Sequence, residues 1–483
     1  MMERNTIAQL QKLLRAKEIT AKELVQDCLK NIAVYDHHGP CLNAVIRINE
    51  KAIVQADMLD KAMADGKAAG GLHGIPILLK DNIDEAGLPN TAGSVCLTEN
   101  IPLEDSFLVA KLRKAGAILI GRANLHEFAI WGETISSLQG QTLNPYDLTR
   151  TPGGSSGGCG AGVAAGYAVA GIGTDTVNSV RSPASANSLV GLRPTMGLIS
   201  RSGIIPYSLT QDTAGPITKS VADAAILLDI LAGADPVDPV TRQSTGKVPR
   251  TYTTSLRKDG LQGKRIGVLR SFFGTDVVHT TVNAVVENAL SAMRQSGAEI
   301  CEVNDVFDAD SITSQVSVHL YDLEPDLDSY LHKMAPEIPV HSLREILASG
   351  RFHPGVGDNI RQAVSLNRNS VEYTRRLTAQ TELRDALLKI MVEKGLSALV
   401  FPHQRRLVAK VGEKQLERNG VLASVTGFPS MVVPGGFSAP EEEAPVGVPI
   451  GIEFLGRPWE EELLFEIAYG FEQNYPVHRS PVL

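Results

Sequence analysis

The sequence predicts an α/β protein built as one large unit, on three observations. Strand-like apolar runs alternate with helical patterns from one end of the 483 residues to the other. Apolar residues make up 43% and charged residues 21%, the balance of an ordinary globular chain. No internal repeat or long low-complexity linker divides it. A single domain over 1–483 is therefore expected, although length alone would allow two or three.

The elements follow in order. Residues 6–33 read as two short amphipathic helices, the second opened by Thr20 as N-cap with Glu23 completing a capping box. "NAVIRI" (43–48) is a strand, followed by a helix to about Ala68. "GIPILLKDNID" (74–84) is a buried strand that ends in charge. Residues 105–125 read as helix, a turn at Gly116, then strand. The small-residue stretch "AGVAAGYAVAGIGTDT" (161–176) reads as a tightly packed helix leading into a strand. A polar, Pro/Gly-marked segment at 235–265 is expected to cross the surface. "RIGVL" (265–269), a helix near 280–296 and "AEICEV" (298–303) form a βαβ pattern. Residues 305–385 read as a helical cap over a site. Late strands at 396–402, 428–437 and 449–456 precede a closing helix at 460–473, and Glu441–Glu443 reads as a solvated loop.

Composition excludes several classes. A net charge of -8 leaves no electrostatic footprint for nucleic acid. No apolar run approaches the length of a membrane span, and the N-terminal stretch lacks a signal peptide's apolar core. Five scattered cysteines without metal-type or CxxC spacing suit a reducing compartment, so a cytoplasmic location is expected.

Some motifs mislead. Gly153-Gly154-Ser155-Ser156-Gly157 satisfies G-x-S-x-G, but a nucleophile elbow needs a hydrophobic strand just before it, and "NPYDLTRTP" is not one. Gly160-x-Gly162-x-x-Ala165 loosely fits a dinucleotide fingerprint and fails on the same ground. There is no P-loop. His126-Glu127 begins a zincin-like string, but position 130 is Ile, so no metal site is expected. Cys159 has no general-base partner in the sequence and reads as a small core residue.

Three places remain. Lys80 closes an apolar strand, where burial would drive it toward a neutral amine able to act as a base; a surface lysine paired with Asp81 or Asp84 is the plainer reading. Ser155-Ser156 lies in a glycine run and reads, alone, as a helix N-cap. Ser179 sits in a polar turn after Thr176-Val177-Asn178.

Taken together, "GIPILLKDNID", "TPGGSSGGCGAGVAAG" and "GTDTVNSVRSPASANSLVGLRPTMGLISRSGIIPYSLTQDTAGP" resemble the amidase signature family. The match is dense across about 70–235 and looser elsewhere, with "GFPSMVVPGGF" and "GVPIGIEFLGRP" as later landmarks. The resemblance implies a large mixed β-sheet core covered by helices on both faces, and hydrolysis of carboxamides through a Ser-cisSer-Lys triad. It makes Ser179 the nucleophile, Ser155 the bridging serine beside a cis peptide, and Lys80 the base. Backbone N–H groups of Thr176, Val177, Asn178 and Ser179 would hold the oxyanion. Val177-Asn178 departs from the two glycines usual there, which bears on substrate range more than on chemistry. Ser156, Arg181 and Asp212 are expected to support the loop, and His126, Phe128 and Trp131 either to line the pocket or to pack as aromatics in the core.

The expected substrate is a small-molecule amide or carbamate, with the peptide-amidase-like branch nearest. No cofactor is implied, and a monomer or homodimer is expected. Two alternatives stay open. One is the glutaminase subunit of a tRNA-dependent amidotransferase, against which "EKQLERNGVLASVTGFPS" lacks the expected acidic residue. The other is a catalytically silent scaffold.

Overall fold

A computed structural model describes residues 6–68, 70–305, 307–334 and 338–483. The first five residues of the N-terminal stretch and parts of the expected cap lie outside these.

Eleven strands form one mixed sheet. In spatial order they are Val45–Ile48, Ile118–Ala123, Pro76–Lys80, Ala170–Asp175, Thr213–Thr218, Val190–Arg193, Ser430–Phe437, Pro449–Leu455, Ala398–Pro402, Arg265–Leu269 and Glu299–Val303. Pro76–Lys80 runs parallel to both its neighbours, and Arg265–Leu269 to both of its own. The middle of the sheet is antiparallel. Helices flank the sheet, as the α/β reading expects.

The capping box at Thr20 forms, with the Thr20 side chain accepting from the Glu23 N–H and the Glu23 carboxylate accepting from the Thr20 N–H. The helix after the first strand ends at Ala64, short of Ala68. Gly116, at φ +85°, supplies the left-handed turn between helix Phe107–Lys114 and its strand. The described residues of 309–393 carry five α-helices, among them His319–Leu331 and the long Val371–Glu393. Glu441–Glu443 is exposed.

Two central strands have no counterpart in the sequence reading, Val190–Arg193 and Thr213–Thr218. Both are buried along their whole length, so neither shows the alternation that marks a half-buried strand. Among the described residues, no helix is long and apolar enough to cross a membrane.

The parallel pairing of Pro76–Lys80 with Ala170–Asp175 sets Leu79 opposite Ile172. The C-terminal ends of these two strands therefore emerge side by side. Helix Gly157–Ala164 packs across both strands. A Cβ at Gly158 would overlap the carbonyl oxygens of Asn124 and Ala44, so only glycine lets the helix approach this closely.

Candidate active site

Lys80 is the last residue of a strand in which every position is buried. Its side chain is 0% exposed and makes no ion pair with Asp81 or Asp84. Asp81 instead accepts from Arg122 Nε at 3.0 Å, and Asp84 from Tyr330 Oη at 2.7 Å and Asn90 Nδ2 at 2.5 Å. Lys80 Nζ donates to Ser155 Oγ at 2.8 Å and to Thr174 Oγ1 at 2.8 Å. Thr174 comes within reach because the neighbouring parallel strand runs alongside, with Ile172 opposite Leu79. Desolvation pulls the Lys80 ammonium down to about 7, against the weaker opposing fields of Cys159, Asp175 and Asp212. A large fraction of this lysine is thus a neutral amine near neutrality, able to take a proton.

The Gly154–Ser155 peptide is cis. Gly153 takes φ +70°, and a Cβ at Gly154 would lie 2.7 Å from Thr134 Oγ1 and 2.8 Å from the Gly132 carbonyl carbon. The glycines before the serine pair are the residues that fit there. Ser155 O accepts from His126 N–H at 3.0 Å. Ser156 holds the N-cap position of helix Gly157–Ala164 without a capping side-chain bond. Its hydroxyl donates to Thr174 O at 3.2 Å, and its N–H donates to Ser179 O at 3.1 Å. The serine pair is therefore bonded directly to the Ser179 loop and to the strand beside Lys80.

A buried ion network shapes that loop. Asp175 ends its strand and accepts from Arg181 Nη2 at 3.0 Å, Arg193 Nη1 at 2.9 Å and Val180 N–H at 3.0 Å. Burial works against the Asp175 carboxylate, but the guanidinium groups of Arg181 and Arg193 prevail and hold it well below the usual range. Arg181 also pairs with Glu453 and donates to Val177 O at 2.6 Å and Gly420 O at 2.9 Å. On the other side Asp212 accepts from Thr176 Oγ1 at 2.6 Å and from the N–H groups of Tyr207 and Ser208 at 2.8 and 2.9 Å. Among the described residues, no hydrogen bond takes up the N–H groups of Thr176, Val177, Asn178 or Ser179. Four free donors thus sit on a loop clamped from both ends.

Ser179 is 5% exposed and opens onto a small cavity lined by Trp131, Val177, Asn178, Tyr207, His319 and Arg418, among others. Of the three candidate pocket residues, Trp131 lines it. His126 and Phe128 do not. His126 is buried with Nδ1 3.2 Å from Glu133 Oε2, and Phe128 packs in an apolar cluster with Ala92, Leu97 and Ile205. Cys159 is fully buried, and burial pushes its thiol up to about 12. Sequence reasoning missed Thr174, whose signal was its place one residue before the end of the strand paired with Lys80. It also missed Asp175, which directly precedes the loop, and Tyr207 and Arg418, which only the tertiary fold brings there.

Comparison with known proteins fits this geometry. Residues 23–465 match the family model described as Amidase. The peptide amidase structure from Stenotrophomonas maltophilia superposes with a TM-score of 0.89 at 35% identity, covering 99% of this chain and 98% of that one. A glutamyl-tRNA(Gln) amidotransferase subunit from a Cyanothece species is 32% identical across 99% of this chain and 100% of its own length. The structure of the Thermotoga maritima protein of the same name superposes with a TM-score of 0.75 at 27% identity, covering 100% of this chain and 97% of that one.

The chain belongs to the amidase family. It is a hydrolase that cleaves the C–N bond of carboxamides.

Proposed function

We propose that the chain is a free-standing amidase acting on small amides, with Ser179 as nucleophile, Ser155 as proton bridge and Lys80 as base. The observation that carries this reading is the bond from the buried Lys80 Nζ to Ser155 Oγ at 2.8 Å. Neutral Lys80 accepts the Ser155 hydroxyl proton as Ser155 takes the proton of Ser179. Ser179 Oγ then bonds the carbonyl carbon, and the oxygen becomes an oxyanion facing the free N–H groups of residues 176–179. Lysine returns the proton through Ser155 to the nitrogen, the C–N bond breaks, and a seryl ester with a free amine or ammonia results. Water attacks the ester with its proton passing along the same chain in reverse, releasing the acid and restoring Ser179.

C-terminal peptide amides and aryl amides fit this chemistry, and so do carbamates, whose carbonyl accepts the same attack. The greater structural likeness to the peptide amidase than to the amidotransferase subunit favours a chain that works alone. The amidotransferase role remains the second reading, favoured by the identity of the curated relatives. The test is product analysis by mass spectrometry. Wild type and Ser179→Ala are incubated with aryl amides, aliphatic amides, peptide amides, glutamine and aryl carbamates. Amine release by wild type alone supports the proposal. Release without Ser179 removes its nucleophile, and ammonia from glutamine alone supports the amidotransferase reading.

A further inference from the structure

Two buried polar side chains around the Ser179 cavity lack partners, and an arginine beside them lacks a counter-ion. Asn178 is 1% exposed, and neither end of its carboxamide is hydrogen-bonded. Tyr207 is 3% exposed and its hydroxyl is unbonded. Arg418 stands with its guanidinium carbon 5.2 Å from the Trp131 ring centre. Among the described residues, no carboxylate reaches ion-pair distance of it. Its acidic neighbours are engaged elsewhere: Glu133 with His126 and the Gln415 N–H, and Asp310 with Arg405. All three line the same cavity as Ser179.

Buried polar groups are normally satisfied, so the unsatisfied Asn178 and Tyr207, beside a half-buried arginine without a counter-ion, call for a ligand. Their chemistry is mostly donor: a guanidinium fork, a phenol O–H and an amide NH₂. Stacking against Trp131 engages the face of the guanidinium and leaves its N–H edge free. Such a set matches a carboxylate, which accepts at both oxygens. Ile130 and Val177 supply an apolar wall for the chain that would carry it. Neither Lys80 nor Ser155 lines this cavity. The proton must reach the leaving nitrogen from Lys80 and Ser155, so the cavity lies on the acyl side.

We propose that Arg418, Tyr207 and Asn178 form a carboxylate-binding subsite on the acyl side of Ser179, selecting amides whose acyl chain carries a free carboxylate. The monoamides of dicarboxylic acids are the simplest such substrates. This inference rests on the assignment of Ser179 as the acylated serine. It also gives Asn178, which departs from the glycine usual at that place, a function of its own.

The test is equilibrium binding to the full chain carrying Ser179→Ala, measured by calorimetry. The probes are succinamate, glutaramate and adipamate, each beside its neutral methyl ester. At least one acid should bind about tenfold or more tightly than its ester, the discrimination of a charge-assisted pair. Adding Arg418→Met should bring that ratio to within about twofold, and Arg418→Lys should restore only part of it. Thermal melts establish that both variants are folded. Equal binding of all acid and ester pairs overturns the subsite, and so does a ratio that survives Arg418→Met. Amide hydrolysis by the Ser179→Ala chain would instead overturn the nucleophile assignment, leaving the binding ratios to be read by themselves.

Discussion

Lys80 Nζ sits 2.8 Å from Ser155 Oγ and an equal distance from Thr174 Oγ1, with no carboxylate at ion-pair distance among the described residues. The strand end that carries it is wholly buried, and desolvation lowers its proton affinity from about 10.5 to about 7. A lysine in this state is a base at neutral pH, and the consequences are measurable.

The first concerns pH and rate. The neutral amine is the active form, so kcat/KM should rise with pH through a midpoint near 7 and level off above it. Lys80→Met should lower kcat/KM by about 10²–10⁴-fold, the usual contribution of a positioned base. Lys80→Arg should not rescue it, because a guanidinium stays protonated. Initial rates across pH 5–10 check both statements.

Stability should depend on pH as well, over a higher window. Between about 7 and 10.5 the unfolded chain holds a proton on Lys80 that the folded chain lacks. This group's contribution to stability therefore rises with pH across that window. Between pH 7 and pH 10, Lys80→Met should raise the melting temperature most at pH 7 and least at pH 10, while lowering activity throughout. A melt series at fixed ionic strength reads this directly.

The adjacent serines should separate. Ser155→Ala removes the hydroxyl bonded to Lys80 and should cost about 10²–10⁴-fold in kcat. Ser156→Ala removes a buried bond to Thr174 O, worth about 1 kcal/mol of stability. Its main effect should appear in urea unfolding. Equal kinetic losses in the two variants would show that the pair acts only as a structural turn.

Asp175 should be needed for the loop to exist. Asp175→Asn leaves Arg181 and Arg193 buried with half their counter-charge, a loss of about 3–5 kcal/mol. The Asp175 carboxyl is held below its usual range, so its contribution is complete above about pH 4 and is lost only as pH falls through the folded value. Denaturant midpoints of wild type and variant, compared at pH 7 and in acid, test the size and the sign.

Cysteine chemistry should be silent. Cys28, Cys96 and Cys159 are buried, Cys41 is exposed and Cys301 is half-buried. Iodoacetamide at pH 8 should modify Cys41 and Cys301 in the native chain without loss of activity. The other three should react only after denaturation.

Much of this was legible in the sequence, for reasons that differ from one residue to another. Lys80, Ser155 and Ser179 each read plainly alone, as a surface lysine, an N-cap and a polar turn, and only the resemblance of their three segments to one family singled them out. The capping box at Thr20 was legible because it is local, closed within three residues. Strands Val190–Arg193 and Thr213–Thr218 were not, since strands buried on both sides show no period. For His126 and Phe128 the sequence left pocket lining and core packing open, since an aromatic near the motif suits either. Their side chains face Glu133 and an apolar cluster. Arg418 comes from a loop 239 residues beyond Ser179, and no local pattern tells such an arginine from a solvated one.

The central claim is that Ser179 is the serine acylated during turnover. The most direct measurement is to inactivate the chain with a fluorophosphonate at pH 8 and map the adduct by peptide mass spectrometry. The account predicts one adduct per chain on Ser179, and labelling slowed at least about a hundredfold by Lys80→Met. An adduct on Ser155, or full labelling of the Ser179→Ala chain, would contradict it.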